Sequence, residues 1–291
     1  MRRIFDYDLI ALDYMNKRQK PWIPFLKFLD LIHNQYHFSD IINGICIDLG
    51  CGSGRNTEII EKYSSIYLGI DSSFNMLLIS KFKEILFLKS GKHKIFGDFN
   101  SLDLNNFQES NVHRNYICST ITNLPLRNRS IDSITSIATL HHILPLKILR
   151  KSLLDIKRIL KHNKFLIITL WSKYGAKLTN KIKKINFNVR MKKNMNHFPF
   201  KSLRINSIKD YKYYMLLKSN PIKLKFYYNI YNVSWKVKKS DSQELVIYRP
   251  YFFFTFNKIQ IFKRYFEIKL VKVIQISSGE RNYFLLLKNT H

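Results

Sequence analysis

Short apolar runs alternate along the chain with segments whose apolar residues recur at helical spacing, as in residues 149–160. The spacing predicts helices between buried strands. Strands are predicted at residues 45–49, 66–71 and 115–121, within 131–142, and at 165–171, and a closing strand pair at 261–276 and 282–287. Strands that alternate with helices and then end in a hairpin predict an α/β fold with a doubly wound, Rossmann-like sheet.

The length of 291 residues fits one domain, residues 1–291, that carries additions to a common core. Residues 1–40 predict an N-terminal helical lid. Residues 89–115 and 173–230 are polar or basic and predict two insertions. The second insertion has few acids and low complexity, so a solvated segment and an RNA contact both remain open for it.

The first predicted strand ends in a glycine-rich turn. Residues 44–56 read GICIDLGCGSGRN, so the strand closes in Asp48 and is followed by Gly50, Gly52 and Gly54. Glycines let the backbone approach a ligand and present N–H groups at the start of the next helix. The Gly-x-Gly-x-Gly spacing fits S-adenosylmethionine better than NAD, whose loop reads Gly-x-Gly-x-x-Gly. We expect Asp48 to order the methionine end of this cofactor.

The second predicted strand also ends in a carboxylate, Asp71. Its distance from the glycines is about the 20 residues that separate such a loop from a ribose-binding acid. A carboxylate at this strand tip can accept hydrogen bonds from both ribose hydroxyls. The alternative is that Asp71 only caps the helix that begins near residues 72–73.

The charge is strongly positive, because 49 Lys and Arg residues face 20 Asp and Glu residues, a net charge of +29. Such a field attracts polyanions and favours nucleic acid as a partner. The alternative is compositional bias, since Lys, Asn and Ile are abundant along the whole chain. Charge alone therefore suggests RNA without selecting which RNA.

The spacing of the cysteines and the lengths of the apolar runs indicate the cellular compartment of the protein. Cys46, Cys51 and Cys118 form no Cys-x-x-Cys pair, which predicts a reducing compartment and no metal site. We expect the cytoplasm, with the nucleus as an alternative. No apolar run reaches the roughly 18–20 residues of a membrane span, so no membrane partner is expected.

With the glycine loop, Asp71 and the SIA strand at residues 136–138 in this order, the chain resembles class I S-adenosylmethionine-dependent methyltransferases, whose sheet has seven strands. Further segments resemble one subfamily, the tRNA wobble-uridine carboxymethyl methyltransferases. The segments are YMNKRQKPWIP at 14–24, SIATLHHI at 136–143, VSWK at 233–236, RPYFFF at 249–254 and GERNY at 279–283.

This resemblance implies methyl transfer from the sulfonium of the cofactor to the carboxylate of a 5-carboxymethyl group on the wobble uridine of a tRNA. A carboxylate with a pKa of about 4 is already ionised, so no general base is needed. Arg18 and Lys20 would orient one carboxylate oxygen, and His141 or His142 would face the site.

The remaining site residues are also implied by the resemblance. Thr120 replaces the acid that usually binds the adenine amino group, and Thr120 and Ala138 would complete the cofactor site. Phe252 replaces a histidine of the subfamily. The implied substrate or RNA contacts are Trp22, Trp235, Arg249, Tyr251, Arg281 and Asn282.

The resemblance implies two partners, the anticodon loop of a tRNA and a small zinc-binding activator subunit. The activator would add a strand beside the third strand, near residues 116–121, which lies at a sheet edge in this fold. The alternative is that residues 89–115 cover this edge.

Two other functions remain open from the sequence. A methyltransferase that acts on a small lipid-like or quinone-like acceptor would share the glycine loop and Asp71, although it would not explain the KPW segment or the charge. A subunit that has lost catalysis and only binds RNA would be consistent with Thr120 and Phe252.

Overall fold

A computed structural model describes residues 6–90, 113–144, 146–172, 182–184, 230–238, 244–275 and 281–290. Its main sheet has seven strands in the order β3-β2-β1-β4-β5-β10-β9. The first five are parallel, and β10 and β9 are antiparallel. They are β1 Ile45–Leu49, β2 Ile66–Asp71, β3 His113–Cys118, β4 Ile131–Ser136, β5 Leu160–Trp171, β9 Glu267–Gln275 and β10 Arg281–Lys288.

This order confirms the predicted doubly wound sheet with a terminal hairpin. Two predicted strands were too long. The fourth strand ends at Ser136, and the two histidines follow on a 3-10 turn, Leu140–His142. The closing pair begins only at Glu267, because residues 256–264 form two short helical turns instead.

Helices cover both faces of the sheet. On one face, Leu153 and Ile156 of α6 pack on the inner strands, and on the other Phe28 of α2 lies 5.3 Å from the Phe284 ring of β10. The α-helices are α1 Ala11–Lys17, α2 Ile23–His33, α3 Phe38–Ile41, α4 Thr57–Glu61, α5 Phe74–Ser90, α6 Leu146–Ile159 and α7 Phe256–Ile259.

A second, three-stranded sheet was not predicted from the sequence. It contains β6 Ile182–Lys184, β7 Ile230–Lys238 and β8 Glu244–Phe252, and β7 pairs antiparallel with both neighbours. The side chains of Ile247, Arg249 and Tyr251 on β8 are all buried, as the period of two requires for one strand face. Apart from these strands and β3, the two predicted insertions lie mostly outside the described residues, and the single domain stays a prediction.

The N-terminal segment lies over the carboxyl ends of the main strands. The Asp8 carboxylate accepts hydrogen bonds from the Ser73 hydroxyl (2.6 Å) and the Asn75 amide (2.9 Å) at the start of α5. The Trp22 ring stacks 5.4 Å from Phe284. These contacts hold residues 7–22 over the carboxyl ends of the strands. In the described part of the chain, no helix is long and apolar enough to cross a membrane.

The edge strand β3 is tied to the helix layer by one ion pair. The Arg114 guanidinium donates two hydrogen bonds to the carboxylate of Glu61, the last residue of α4. Glu61 is 4% exposed. A buried guanidinium that loses its carboxylate keeps the cost of its desolvation without the compensating attraction.

We therefore expect Glu61→Gln to destabilise the fold by about 3 kcal/mol, measured as the free energy of urea unfolding. The double variant Glu61→Leu with Arg114→Leu should lose less than the single variant, since no charge is then left unpaired. Equal stability of wild type and Glu61→Gln would show that this pair does not anchor the edge strand.

Candidate functional site

A cavity of about 300 Å³ lies at the carboxyl ends of β1, β2 and β4. This is the edge of a doubly wound sheet at which ligands bind. Its walls come from the glycine loop, the turn after β4, the N-terminal segment and β7–β8 of the second sheet. The predicted residues that line it are Arg18, Trp22, Asp48, Gly50, Gly52, Asp71, Thr120, Ala138, His141, His142, Trp235, Arg249 and Tyr251.

The glycine loop is shaped by positive backbone φ angles, 77° at Gly50, 55° at Gly52 and 72° at Gly54. A side chain at Gly50 would overlap Thr139. A Cβ at Gly52 would have no atom within 4 Å, so this glycine opens onto the cavity. Gly54 does not line it, because it packs against Ser80 of α5. The loop thus leaves an empty cradle at Gly52, which fits close approach by a ligand.

Asp71 is held rigidly at the tip of β2. One carboxylate oxygen accepts a hydrogen bond from the Gly52 amide (2.9 Å) and the other from the Ser73 amide (2.8 Å). Ser73 caps α5, because its hydroxyl accepts a hydrogen bond from the Met76 amide at 3.2 Å. A carboxylate at this strand tip suits a diol such as a ribose, because its two oxygens can accept hydrogen bonds from both hydroxyls.

Asp48 lies on the floor of the cavity and is 2% exposed. The Thr135 hydroxyl donates to its carboxylate at 2.9 Å, and the Tyr67 hydroxyl donates at 3.4 Å. Burial raises the pKa of Asp48 to about 7, although these two hydrogen bonds oppose the shift. A cationic ligand group beside it would favour the ionised form.

Thr120, which follows β3 beside Asp71, and Ala138, which follows β4, also line the cavity. The Thr120 hydroxyl is within 2.8 Å of the Thr122 hydroxyl, so the two threonines share a hydrogen bond. Ala138 has a φ of 54°, and its amide donates to the Thr169 hydroxyl at 2.7 Å. This bond points the backbone after β4 toward the cavity.

A second compartment of the cavity is lined by aromatic rings and one buried cation. Arg249 is 5% exposed, and its guanidinium lies 4.5 Å from the Trp235 ring centre and 5.1 Å from that of Tyr251. The Trp235 indole N–H donates to Asp13 at 2.6 Å, and Tyr14 stacks on the indole at 5.5 Å. Its ring faces are therefore occupied, and Trp235 supports Arg249 rather than offering a free stacking surface.

Both histidines lie in this aromatic compartment. The pKa of His141 is lowered to about 3, first by burial and then by the positive charge of Arg249. The pKa of His142 is also lowered, by burial, His141 and Arg249. The Tyr7 hydroxyl lies 3.0 Å from Nε2 of His142. Both imidazoles are therefore neutral at pH 7 and bring no charge to the site.

Besides Gly54, three other predicted site residues do not line the cavity. Lys20 is exposed on the N-terminal segment, outside the lining. Arg281 is exposed at the start of β10. Asn282 is buried where β10 pairs with Trp171 of β5. These three residues lie outside the lining, whereas Arg18 lies in the cavity wall with its guanidinium 5.8 Å from the Trp235 ring centre.

Sequence reasoning missed Tyr7, Tyr14 and Arg55, which also line the cavity. Arg55 directly follows the glycine loop and lies 5.5 Å from the Trp22 ring centre. This position next to the loop could have indicated from the sequence that Arg55 lines the cavity. Tyr14 begins the segment at 14–24 that resembles the subfamily, which was a signal for it, whereas Tyr7 had none because its partner His142 lies 135 positions away.

Comparison with known proteins agrees with this geometry. Residues 47–168 match the model of a methyltransferase domain. A tRNA (carboxymethyluridine(34)-5-O)-methyltransferase of Arabidopsis thaliana is 24% identical over 166 residues, which are 57% of this chain and 31% of that protein. The match thus spans about a third of the relative's length.

Two solved structures are similar in fold. An S-adenosylmethionine-dependent methyltransferase of Clostridium acetobutylicum has a TM-score of 0.58 at 15% identity, covering 98% of this chain and 99% of that one. A structure of the complex between the Trm112 methyltransferase activator and a methyltransferase of Haloferax volcanii has a TM-score of 0.51 at 10% identity, with full coverage of both chains.

These matches confirm the predicted methyltransferase fold and its cofactor, S-adenosylmethionine. The residues present fit it, since the cradle at Gly52 lies between the Asp71 and Asp48 carboxylates. When bound, the cofactor supplies an electrophilic methyl group on a sulfonium. Asp71 would hold its ribose, Asp48 the ammonium group of its methionine end and Thr120 its adenine.

We expect Asp71→Ala to abolish S-adenosylmethionine binding measured by calorimetry, because the ribose then loses its only predicted carboxylate partner. The exposed Asp40→Ala is the matched control and should bind as wild type does. Unchanged affinity of Asp71→Ala would refute the assignment of the cofactor pocket.

We also expect cofactor affinity to depend on pH through Asp48. With a pKa of about 7, this carboxyl is protonated below that pH and must lose its proton to pair with a cation. Affinity should therefore fall by up to about tenfold per pH unit below pH 7. In Asp48→Asn the affinity should be lower at pH 8 and nearly flat from pH 5.5 to 8. A variant with the same slope as wild type would assign the titration to another group.

Proposed function

We propose that this methyltransferase esterifies the carboxylate of 5-carboxymethyluridine at the wobble position of a tRNA. The observation that carries the proposal is the shape of the cavity, which runs from the glycine loop into a compartment lined by aromatic rings and guanidinium groups. No Asp or Glu lies in the part of the lining formed by β7, β8 and the N-terminal segment. Such a compartment suits an aromatic base that carries a negative charge.

The chemistry of the histidines supports an acceptor that is already ionised. Neutral His141 and His142 have pKa values far below 7, so neither is poised to accept a proton near neutral pH. A carboxylate needs no deprotonation before it attacks a methyl group. Catalysis then rests on holding its oxygen in line with the sulfur–methyl bond.

The tRNA part of the proposal is supported by charge and by relatives. The net charge of +29 fits a polyanionic substrate. The Arabidopsis thaliana relative is a tRNA carboxymethyluridine methyltransferase by its name. A wobble base must leave the anticodon stack to reach a cavity, and lysines that neutralise phosphates would offset that cost.

An activator subunit is the proposed protein partner. Within the described residues β3 pairs on one side only, with β2, so its other edge is open to an added strand. The Haloferax volcanii neighbour is a methyltransferase that was solved with such an activator. We propose that a small zinc-binding subunit covers this edge.

The alternatives have less support. A lipid-like or quinone-like acceptor would not call for a buried guanidinium in the cavity wall. A subunit without catalytic activity would not need the open glycine loop and the two amide hydrogen bonds of Asp71. Both features favour an active enzyme.

We expect the full chain with its activator to convert 5-carboxymethyluridine in tRNA to the methyl ester, detected by mass spectrometry of the nucleosides. Arg18→Ala should retain cofactor affinity and lower turnover, because Arg18 lines the acceptor side only. Lys20→Ala is the matched comparison, since Lys20 lies outside the lining, and its turnover should fall less. Absence of ester from wild-type reactions that bind cofactor would overturn the proposed substrate.

A further inference from the structure

Arg249 is the one guanidinium in the lining that is almost completely removed from solvent, at 5% exposure, whereas Arg18 is exposed. Its position is fixed from two sides by aromatic rings, those of Trp235 and Tyr251. Trp235 is in turn fixed by the Asp13 carboxylate. The guanidinium therefore has a defined orientation in the cavity wall.

This cation has no carboxylate partner among the described residues, and its Nε–H makes no hydrogen bond. The Asp13 carboxylate nearby is taken by Trp235 and by Lys17, at 2.6 and 2.8 Å. The phenols of Tyr7 and Tyr251 are held neutral, since burial raises the pKa of each above its usual value. A buried guanidinium stays charged and lacks an anion, which is costly for folding alone.

We infer that Arg249 binds the carboxylate of the acceptor. Methylation neutralises this carboxylate and so removes the anion that Arg249 binds. The inference rests on the proposed function and assigns to Arg249 the role that was predicted for Arg18 and Lys20. A planar guanidinium fork matches a carboxylate in two parallel hydrogen bonds, which a point charge does not.

The charges of the reactants and products predict that the site holds the product less tightly than the substrate. A carboxylate oxygen forms a bond to the methyl carbon, the sulfur–carbon bond breaks, and its electron pair stays on sulfur. The anionic acid and the cationic sulfonium become a neutral ester and a neutral thioether, and no proton moves. Arg249 then loses its counterion, so the ester is held less tightly than the acid.

The same pairing of charges predicts that the site distinguishes the acid from uncharged groups of similar size. A 5-carbamoylmethyl group has the size of the acid but no charge, and it would place an NH₂ donor against the donors of Arg249. The site should therefore bind the amide and the ester alike more weakly than the ionised acid. Arg18 and Lys20, both exposed to solvent, would contribute a screened and less selective attraction.

The test compares binding of three anticodon stem-loop RNAs that carry the acid, the amide or the methyl ester at the wobble uridine. Binding to the full chain is measured by calorimetry with S-adenosylhomocysteine present, so that no turnover occurs. Wild type should prefer the acid by about tenfold or more over both neutral forms, as expected for a charge-assisted pair. Arg249→Met should lose this preference and keep its affinity for the amide.

Arg249→Lys keeps the charge without the fork and should show an intermediate preference. The exposed Arg150→Met is the matched control and should behave as wild type. Cofactor affinity and thermal unfolding check that each variant is folded, and Arg249→Met should melt no lower than wild type because it removes an unpaired buried charge. An acid preference that persists in Arg249→Met would overturn the inference.

The two proposals can fail separately. If wild type esterifies tRNA and Arg249→Met does so with unchanged kcat and KM, the receptor assignment is wrong and the proposed function stands. If wild type prefers the acid through Arg249 but forms no ester on tRNA, the anion site stands and the proposed reaction is wrong.

Discussion

The site depends on one tight junction between the first two strands of the sheet. The Gly50 amide donates to the Ile70 carbonyl at 2.6 Å, and the next-but-one amide, of Gly52, donates to the Asp71 carboxylate. A side chain at Gly50 would collide with Thr139 in the turn after β4, and its φ of 77° also favours glycine. The junction fixes Asp48 and Asp71 relative to each other and leaves the cradle at Gly52 open.

The second constraint is the burial of charge. The cofactor compartment has two carboxylates, whereas the acceptor compartment has a buried guanidinium and neutral histidines. A cationic cofactor and an anionic acceptor would therefore each meet the opposite charge, on the two sides of one cavity. The reaction removes both ligand charges at once, which links turnover to release of the products.

Much of the fold was predictable because its signals are local. Apolar runs identified the five parallel strands, and the glycine spacing and Asp71 identified the cofactor end, since each signal lies within a single strand–turn–helix unit. The β7–β8 hairpin was missed although each of its strands has nine residues, because residues 173–230 before it show no clear periodicity in the sequence. Lys20, Arg281 and Asn282 were grouped with the site by a motif, although their side chains lie outside the cavity lining.

The sheet, the cofactor loop and the acid at the tip of the second strand follow from local sequence patterns, because strand tips of a parallel sheet converge at one edge. The acceptor side instead depends on contacts between distant segments. Trp235 meets Asp13 across 222 positions of sequence, and Tyr7 meets His142 across 135. No local pattern encodes such contacts, since they arise when two distant segments pack over the same sheet edge and bury a guanidinium between aromatic rings.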